Sequence, residues 1–416
     1  MLDLLILHAE QLLTMTGGSQ GPLRGQALDD VGVIPDGGVG IENGCIAFVG
    51  PSSKAPQKAK QTIDASGKVV MPGFVDPHTH LVFAGSREVE FDLRIRGESY
   101  QEIASKGGGI RSTVRATRAA SQEDLVHGGM HHLDRMLRWG TTTAESKSGY
   151  GLTLEDEIKI LKAIRELDHR HPVDLVPTFL GAHDVPDEWR QNPRGYVDLV
   201  IHEMIPAVAS EVLARFCDVF CDEGYFDLAD SRRILEAGAR AGMMPKLHAD
   251  ELASFGGAEL ACEVGAVSAD HLIKVSSVGI TKMAETGVLA VLLPGTSLML
   301  DVDQRAPARQ IIDAGAPVAL ATDFNPGSCA ISAMPIVIGL ACSLLKMTPA
   351  EALNASTINA AWAIGEGAAV GSLEAGKDAD ILLLNISDYR QVPYWFGRNP
   401  VDAVIKAGKR IQLDIE

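Results

Sequence analysis

Two histidines spaced one residue apart at the end of an apolar run give the first chemical signal of this chain. The run Met71-Pro-Gly-Phe-Val-Asp-Pro-His78-Thr-His80 reads as a strand, and alternate residues of a strand point to one face. His78 and His80 can therefore converge on one metal ion. Three further apolar runs end in matching chemistry: Lys246-Leu-His248-Ala-Asp-Glu251, Ser268-Ala-Asp-His271 and Ala321-Thr-Asp323-Phe-Asn325-Pro-Gly327-Ser328. Imidazole nitrogens with a carboxylate and no thiolate suit a first-row ion. We expect one metal ion, divalent or trivalent, zinc or iron, held by His78, His80, His248 and Asp323. A binuclear centre would need a further bridging anion. The run Phe216-Cys-Asp-Val-Phe-Cys-Asp-Glu has no Lys that could be carboxylated to provide it.

One such ion lowers the pKa of water to about 7 and polarises a carbonyl. A nearby base must take the water proton and return it to the leaving nitrogen. Glu251, three residues past His248, is placed for this, although a carboxylate there also suits a helix N-terminus. His271 is read as catalytic, polarising the developing oxygen or holding the water, with a weak fifth ligand as its alternative. Asp323 belongs to both the catalytic and the metal set.

These residues need a scaffold that brings distant strand ends to one rim. Eight strand-like runs alternate with amphipathic helices: 69–75, 141–144, 173–179, 217–221, 245–247, 267–269, 289–293 and 318–321. The helices are expected at 121–138, 153–167, 230–241, 276–285 and 304–314. Thr348-Pro-Ala-Glu351 starts another, with a Thr cap, Pro at the first position and Glu closing a capping box; Gly365 is expected to end it. The pattern predicts an α/β fold, a (β/α)8 TIM barrel whose active site sits at the C-terminal strand ends. Short strands punctuated by turn formers fill both ends of the chain. They predict a small composite β-sandwich domain built from residues 1–65 and 366–416, around a barrel of 66–365.

Composition narrows the class. The 416 residues carry 37 Lys and Arg against 54 Asp and Glu, a formal charge of −17. That field repels phosphate, so neither nucleic acid nor an anionic membrane is an expected partner. No run reaches the roughly 18 apolar residues needed to span a bilayer. The N-terminus has no basic region ahead of an apolar stretch, which argues against a signal peptide. Six scattered Cys without a CxxC pair read as reduced thiols, mostly buried, and a cytoplasmic protein is expected. Several signals are set aside. His169 and His171 have ligand spacing but lie between a helix and Pro172, and are read as solvated. His127, His131 and His132 are read as a solvated helix face. Lys106-Gly-Gly-Gly109 lacks the Lys-Ser/Thr of a nucleotide loop and is read as a loop near the active site. Gly365-x-Gly367 follows a helix, so it is not a dinucleotide fingerprint. Cys329 has no base partner and is read as packed.

With these residues in hand, the chain resembles the amidohydrolase superfamily over nearly its whole length. The resemblance lies in Gly67-Lys-Val-Val-Met-Pro-Gly-Phe-Val-Asp-Pro-His-Thr-His80, the strand-end His and Asp, and Gly371-Ser-Leu-Glu-Ala-Gly-Lys-Asp-Ala-Asp380. More narrowly it is similar to the imidazolonepropionase family. The segments are His80-Leu-Val-Phe-Ala-Gly-Ser-Arg87, Glu90-Phe, Arg96-Gly-Glu-Ser-Tyr100, Gly107-Gly-Gly-Ile-Arg-Ser-Thr-Val114, Glu145-Ser-Lys-Ser-Gly-Tyr-Gly151, Thr178-Phe-Leu-Gly-Ala-His183 and Thr322-Asp-Phe-Asn-Pro-Gly327. The resemblance implies hydrolysis of the ring amide of 4-imidazolone-5-propanoate to N-formimidoyl-L-glutamate, in histidine degradation, by a homodimer. It also implies a substrate site. Arg87 would clamp the propionate through a planar two-pronged contact, with hydroxyls from Tyr100 and Tyr150. His183 would bond the ring or the water, Glu251 would reach the substrate, and Asn325, Gly327 and Ser328 would meet polar groups of the product. A surface ion pair with Glu88 or Glu90 is the plain alternative for Arg87. The rival readings are a deaminase of cytosine or guanine type, which needs no carboxylate clamp, and a non-catalytic scaffold barrel, which would be expected to have lost ligands. Because the substrate is an anion, local groups rather than the overall charge must attract it.

Overall fold

The computed structural model describes residues 1–18, 20–98 and 108–412; Tyr100 and the Lys106-Gly107 half of the glycine loop lie outside the described residues. The chain begins with β1 (Leu2–Leu13), β2 (Val33–Glu42), β3 (Cys45–Pro51), β4 (Ala59–Asp64) and β5 (Val69–Pro72). The barrel follows as β6 (Phe74–Asp76), β7 (Thr141–Lys147), β8 (Asp174–Ala182), β9 (Phe216–Cys221), β10 (Met244–Ala249), β11 (Ser268–His271), β12 (Leu289–Leu292) and β13 (Val318–Leu320). Then β14 (Ile381–Leu384), β15 (Val401–Lys406) and β16 (Lys409–Arg410) return to the first sheet.

That first sheet is mixed, in the order β16-β15-β14-β5-β1-β2-β3, with β4 also on β1. β1 shifts register against β2 between Ile6 and Ala9, where His8 has φ 61°. Its first half pairs with β4 and its second half with β5. One irregular strand thus serves two parts of the sheet, as bulged corner strands do. Leu4, Ile6, Val39, Val70, Ile381 and Ile405 close a separate core there. The β2–β3 hairpin turns at Asn43 (φ 53°) and Gly44 (φ 81°), the residue pair that a tight two-residue turn demands.

The eight barrel strands run parallel from β6 to β13. β6 and β13 meet through side-chain and backbone bonds beyond their ends. Asp76 accepts from Thr322 N at 3.0 Å and Thr322 Oγ1 at 2.5 Å, and a parallel bridge joins Thr79 to Phe324. The expected first strand, 69–75, is two strands. β5 pairs antiparallel with β14 and β6 pairs parallel with β7. Gly73 makes the joint; a Cβ there would lie 2.1 Å from Thr142 Oγ1. An apolar run buried throughout carries no mark of the change of sheet.

The helices start where their caps are. Ser121 and Asp124 form a capping box on the helix Gln122–Arg138, and Thr348 and Glu351 form one on Pro349–Ala355. Gly365 does not end that helix directly, because Thr357 (φ −133°, ψ −96°) interrupts it and a second helix, Ile358–Ala363, intervenes. The helix expected at 304–314 shortens to Ala308–Asp313, after Pro307. His171 is buried, not solvated: its Nδ1 accepts from Val173 N at 3.0 Å, and Nε2 lies 3.4 Å from Asp134. Cys217, Cys221 and Cys329 are buried, while Cys45, Cys262 and Cys342 are half-buried. Among the described residues, no helix is long and apolar enough to cross a membrane.

Candidate active site

The C-terminal ends of the barrel strands open into a cavity of about 720 Å³. His78 and His80 follow β6, His248 lies on β10, His271 ends β11 and Asp323 follows β13. His271 and Asp323 hold positive φ, 76° and 53°, uncommon for these residues and typical of functional sites. Candidate donor atoms of His78, His248 and His271 lie within 4.8 Å of one another, as do those of His78, His80 and Asp323. The two sets share His78. Asp323 Oδ1 stands 3.6 Å from His78 Nε2 and 3.7 Å from His80 Nε2, and Oδ2 accepts from Thr296 Oγ1 at 2.5 Å.

The imidazoles are oriented from behind. His78 Nδ1 donates to Asp270 Oδ2 at 2.5 Å, and His248 Nδ1 donates to Asp218 Oδ1 at 3.1 Å. A carboxylate accepts only, so each ring presents the lone pair of Nε2 to the site. Both Nε2 atoms are buried without a hydrogen-bond partner among the described residues. A buried polar atom left unpaired is costly. Two carboxylate-backed imidazoles with bare Nε2 atoms therefore fit a metal ion, which such an arrangement suits. Charge agrees. Glu145, Asp218, Asp270 and Asp323 are buried around the site; among the described residues, Lys147 and Lys246 are the buried ammonium groups between them. Burial holds the His78, His80 and His271 imidazoles well below their usual pKa, with neighbouring positive groups adding to it. They stay neutral, the form that binds metal.

Glu251 follows β10 and is held in place through its backbone. Asp222 accepts from the N–H groups of Glu251, Leu252 and Ala253 at 2.8–3.1 Å. Asp250 accepts from Phe255, Gly256, Gly257 and Ala258. The Glu251 side chain lines the cavity, with Oε1 3.6 Å from His271 Nδ1. Burial, then the negative charges of Asp323 and Asp222, push its carboxyl up to about 8, within the range useful for moving protons near neutrality.

The cavity wall gathers the other expected groups. Tyr150 and His183 line it, their rings 5.3 Å apart. His183 stacks on His80 at 5.0 Å, and burial lowers it to about 3. Its Nδ1 donates to Gly149 O at 3.0 Å, so Nε2 is an acceptor. Arg87 precedes the helix α1 (Glu88–Ile95) and is paired with Glu90, its Nε and Nη2 lying 2.9 and 2.7 Å from Oε2. This is the ion pair raised as the plain alternative, yet both residues are mostly shielded and Arg87 still lines the cavity. Asn325 Nδ2 donates to Asp323 O and Ser328 Oγ, and its Oδ1 accepts from Gly327 N and Ser328 N. Its amide capacity is thus used inside its own loop, and it positions Gly327 and Ser328 on the cavity wall. A Cβ on Gly327 would lie 1.9 Å from Arg87 Nη1, so only glycine admits this close approach.

Sequence reasoning missed six participants. Arg94 lines the cavity beside Arg87, and its Nη2 donates to Gly327 O at 3.3 Å. Lys147, Glu145, Lys246, Asp218 and Asp270 form the layer under the imidazoles. The signals existed: Glu145 and Lys147, and Lys246 and His248, alternate on one strand face, and Asp218 is a charge inside the apolar strand Phe216–Cys221. The Lys sought on the fourth strand is absent there. A buried lysine, Lys147, lies on β7 instead, facing the carboxylates of Glu145, Asp218 and Asp270.

Comparison with known proteins bears on the fold and the family. Amidohydrolase family profiles match residues 229–411 and 61–130. An imidazolonepropionase of Shouchella clausii (strain KSM-K16) is 53% identical over 98% of this chain and 93% of its own length. One of Geobacillus kaustophilus (strain HTA426) is 52% identical over 100% of this chain and 99% of its own. Among solved structures, a 5-methylcytosine deaminase from Klebsiella pneumoniae, liganded with 5-fluorocytosine, has TM-score 0.74 at 19% identity, covering 99% of this chain and 98% of that one. A zinc-bound adenosine deaminase from Xanthomonas campestris has TM-score 0.72 at 22% identity, covering 98% and 92%. At such identities the deaminases share the fold alone, whereas identity above one half across the full length goes further: the chain belongs to the imidazolonepropionase family of amidohydrolases.

Proposed function

We propose that the protein hydrolyses the ring amide of 4-imidazolone-5-propanoate, giving N-formimidoyl-L-glutamate. The name of its relatives suggests the substrate. The observation that carries the reading is Arg87 lining the same cavity as Glu251 and the histidine cluster: a carboxylate clamp beside a hydrolytic centre. A neutral nucleobase gives the clamp nothing to bind.

His78, His80, His248 and Asp323 would hold the ion, zinc or iron, with His271 adjacent. When bound, such an ion supplies Lewis acidity, polarising the ring carbonyl and acidifying water. Arg87 takes the propionate, exchanging Glu90 for the substrate carboxylate, and Arg94 adds a second positive charge at the same wall. Tyr150 donates its hydroxyl, which burial keeps protonated. His183 Nε2 accepts from a ring N–H and so fixes which ring edge faces inward. Glu251 removes the proton of the attacking water and delivers it to the departing ring nitrogen. His271, beside Glu251, stabilises the oxygen that gains charge as water adds to the ring carbonyl. The C–N bond of the ring amide breaks, one water is consumed, and the products are a carboxylate and the formimidoyl nitrogen on one chain. The protein acts as a cytoplasmic homodimer on this small anion.

The direct test is to supply imidazolonepropionate to the metal-loaded protein and measure formimidoyl-glutamate. Its appearance supports the reading; no turnover alongside deamination of cytosine or guanine overturns it.

A further inference from the structure

Beneath the imidazoles lies a set of buried charges that the proposed reaction does not touch. Lys147 Nζ is 2.7 Å from Asp218 Oδ2, 2.9 Å from Glu145 Oε1 and 3.8 Å from Asp270 Oδ2, with every one of these side chains fully shielded from solvent. Asp218 orients His248 and Asp270 orients His78. One ammonium therefore stands between the two carboxylates that aim two different imidazoles. The rest of the layer holds Lys147 itself. Glu145 Oε1 is fixed by Lys246 Nζ at 2.9 Å and Thr178 Oγ1 at 2.5 Å. Lys246 also donates to Pro77 O, one residue before His78, at 2.9 Å. Ser268 Oγ holds the second oxygen of Asp270 at 2.6 Å.

We propose that Lys147 is a positioning residue that sets the direction of His78 and His248 together, and so governs metal affinity without being a ligand. Removing one partner of a buried ion pair leaves an uncompensated charge where no water can reach. Without the ammonium, Asp218 and Asp270 repel each other across the vacated space. Each moves with the imidazole it holds, and the two Nε2 atoms no longer converge. Burial alone would weaken the ammonium, but Asp218, Glu145 and Asp270 outweigh it and raise its pKa, so the charge persists at any pH at which the protein works. The inference rests on the reading that the histidine cluster holds a metal.

The experiment compares wild type, Lys147→Met, Asp270→Asn and the double variant Lys147→Met/Asp270→Asn. Zinc affinity is read by chelator competition, and the visible absorption of the cobalt-loaded proteins reports ligand geometry. His78→Ala serves as the control that must lose binding. Loss of a group that orients a ligand typically costs about 10–100-fold in metal affinity. Lys147→Met should lose that much and shift the cobalt spectrum. The amide that Asp270→Asn introduces still accepts from His78 but carries no charge, so the double variant should bind tighter than Lys147→Met alone. If Lys147→Met does not fold, the double variant, whose net buried charge equals that of wild type, carries the test against Asp270→Asn and wild type. Wild-type affinity and spectrum in folded Lys147→Met, or losses that simply multiply in the double variant, would overturn the proposal. Zinc binding that survives His78→Ala would instead sink the metal reading beneath it.

Discussion

The layer below the histidines and the wall around the cavity mouth use the same charged side chains in opposite ways. Below, Lys147, Lys246, Glu145, Asp218 and Asp270 are fully buried; the first four are bonded at 2.7–2.9 Å and Asp270 stands 3.8 Å from Lys147. At the mouth, Arg87, Glu90 and Arg94 sit on or beside one helix, partly open to solvent. The buried layer cannot relax, because water is not there to replace a lost partner. The mouth is built to exchange partners: under the proposed function a substrate carboxylate replaces Glu90 on Arg87. The difference teaches where precision and where selectivity reside. Under the proposed function, the layer sets angles for the metal site, while the mouth reads the charge of what enters.

The predictions test that division. The largest effect is expected where the two regions meet, at Glu251. Glu251→Gln should keep the metal and lower kcat by about 10²–10⁴-fold, the usual contribution of a positioned acid–base group. A near-normal rate would remove Glu251 from the chemistry. Next comes the mouth: Arg87→Ala should raise KM for the anionic substrate by about tenfold to a hundredfold, the scale of a lost charged hydrogen bond, with unchanged metal content. An unaltered KM would leave Arg87 as nothing more than the partner of Glu90.

A pair of glycines sharpens the contrast. In Gly327→Ala the new methyl meets the far end of Arg87, which can swing away, so KM should rise severalfold while the melting temperature holds. In Gly73→Ala the methyl meets Thr142 close to its backbone, and overpacking of that kind costs about 1–3 kcal/mol; denaturant unfolding should show it. If Gly327→Ala proved the less stable of the two, the distinction between a rigid base and an adjustable mouth would fail. The smallest effect concerns His132, which is not on a solvated face as its sequence suggests but is half-buried against Phe83 and Phe324. It bonds Leu81 O at 2.8 Å, and burial lowers its pKa from 6.5. The folded state favours the neutral ring, so this contribution is complete above pH 6.5. It drains as the unfolded chain takes up the proton at lower pH. The stability gap between wild type and His132→Gln should therefore narrow between pH 7.5 and pH 5.5. A gap that widens would contradict the assignment.

Much of the site was legible because its residues end strands. His78, His80, His248, His271 and Asp323 could be placed on one rim by alternation and barrel geometry alone, and Glu251 by its nearness to His248. Arg87, Tyr150 and His183 came from resemblance rather than from pattern. Lys147 and Asp218 were on the page as charges in buried strands, but they lie 71 residues apart, and no local period reveals such a pairing. His171 misled for the same reason: its Nε2 lies 3.4 Å from Asp134, which is 37 residues away on the helix Gln122–Arg138.

What the sequence determines by itself is local: the strand and helix periods, the caps at Ser121 and Thr348, the turn at Asn43-Gly44, and the residue types able to bind metal. Each follows from interactions spanning a few residues, where covalent geometry limits the choices. What only the tertiary structure decides is which of those residues share an environment. The split of 69–75 between two sheets at Gly73, the burial of His171, and the ammonium between Asp218 and Asp270 all depend on burial and on distances between elements far apart in the chain. These set the energy of a charge far more strongly than its neighbours in sequence do.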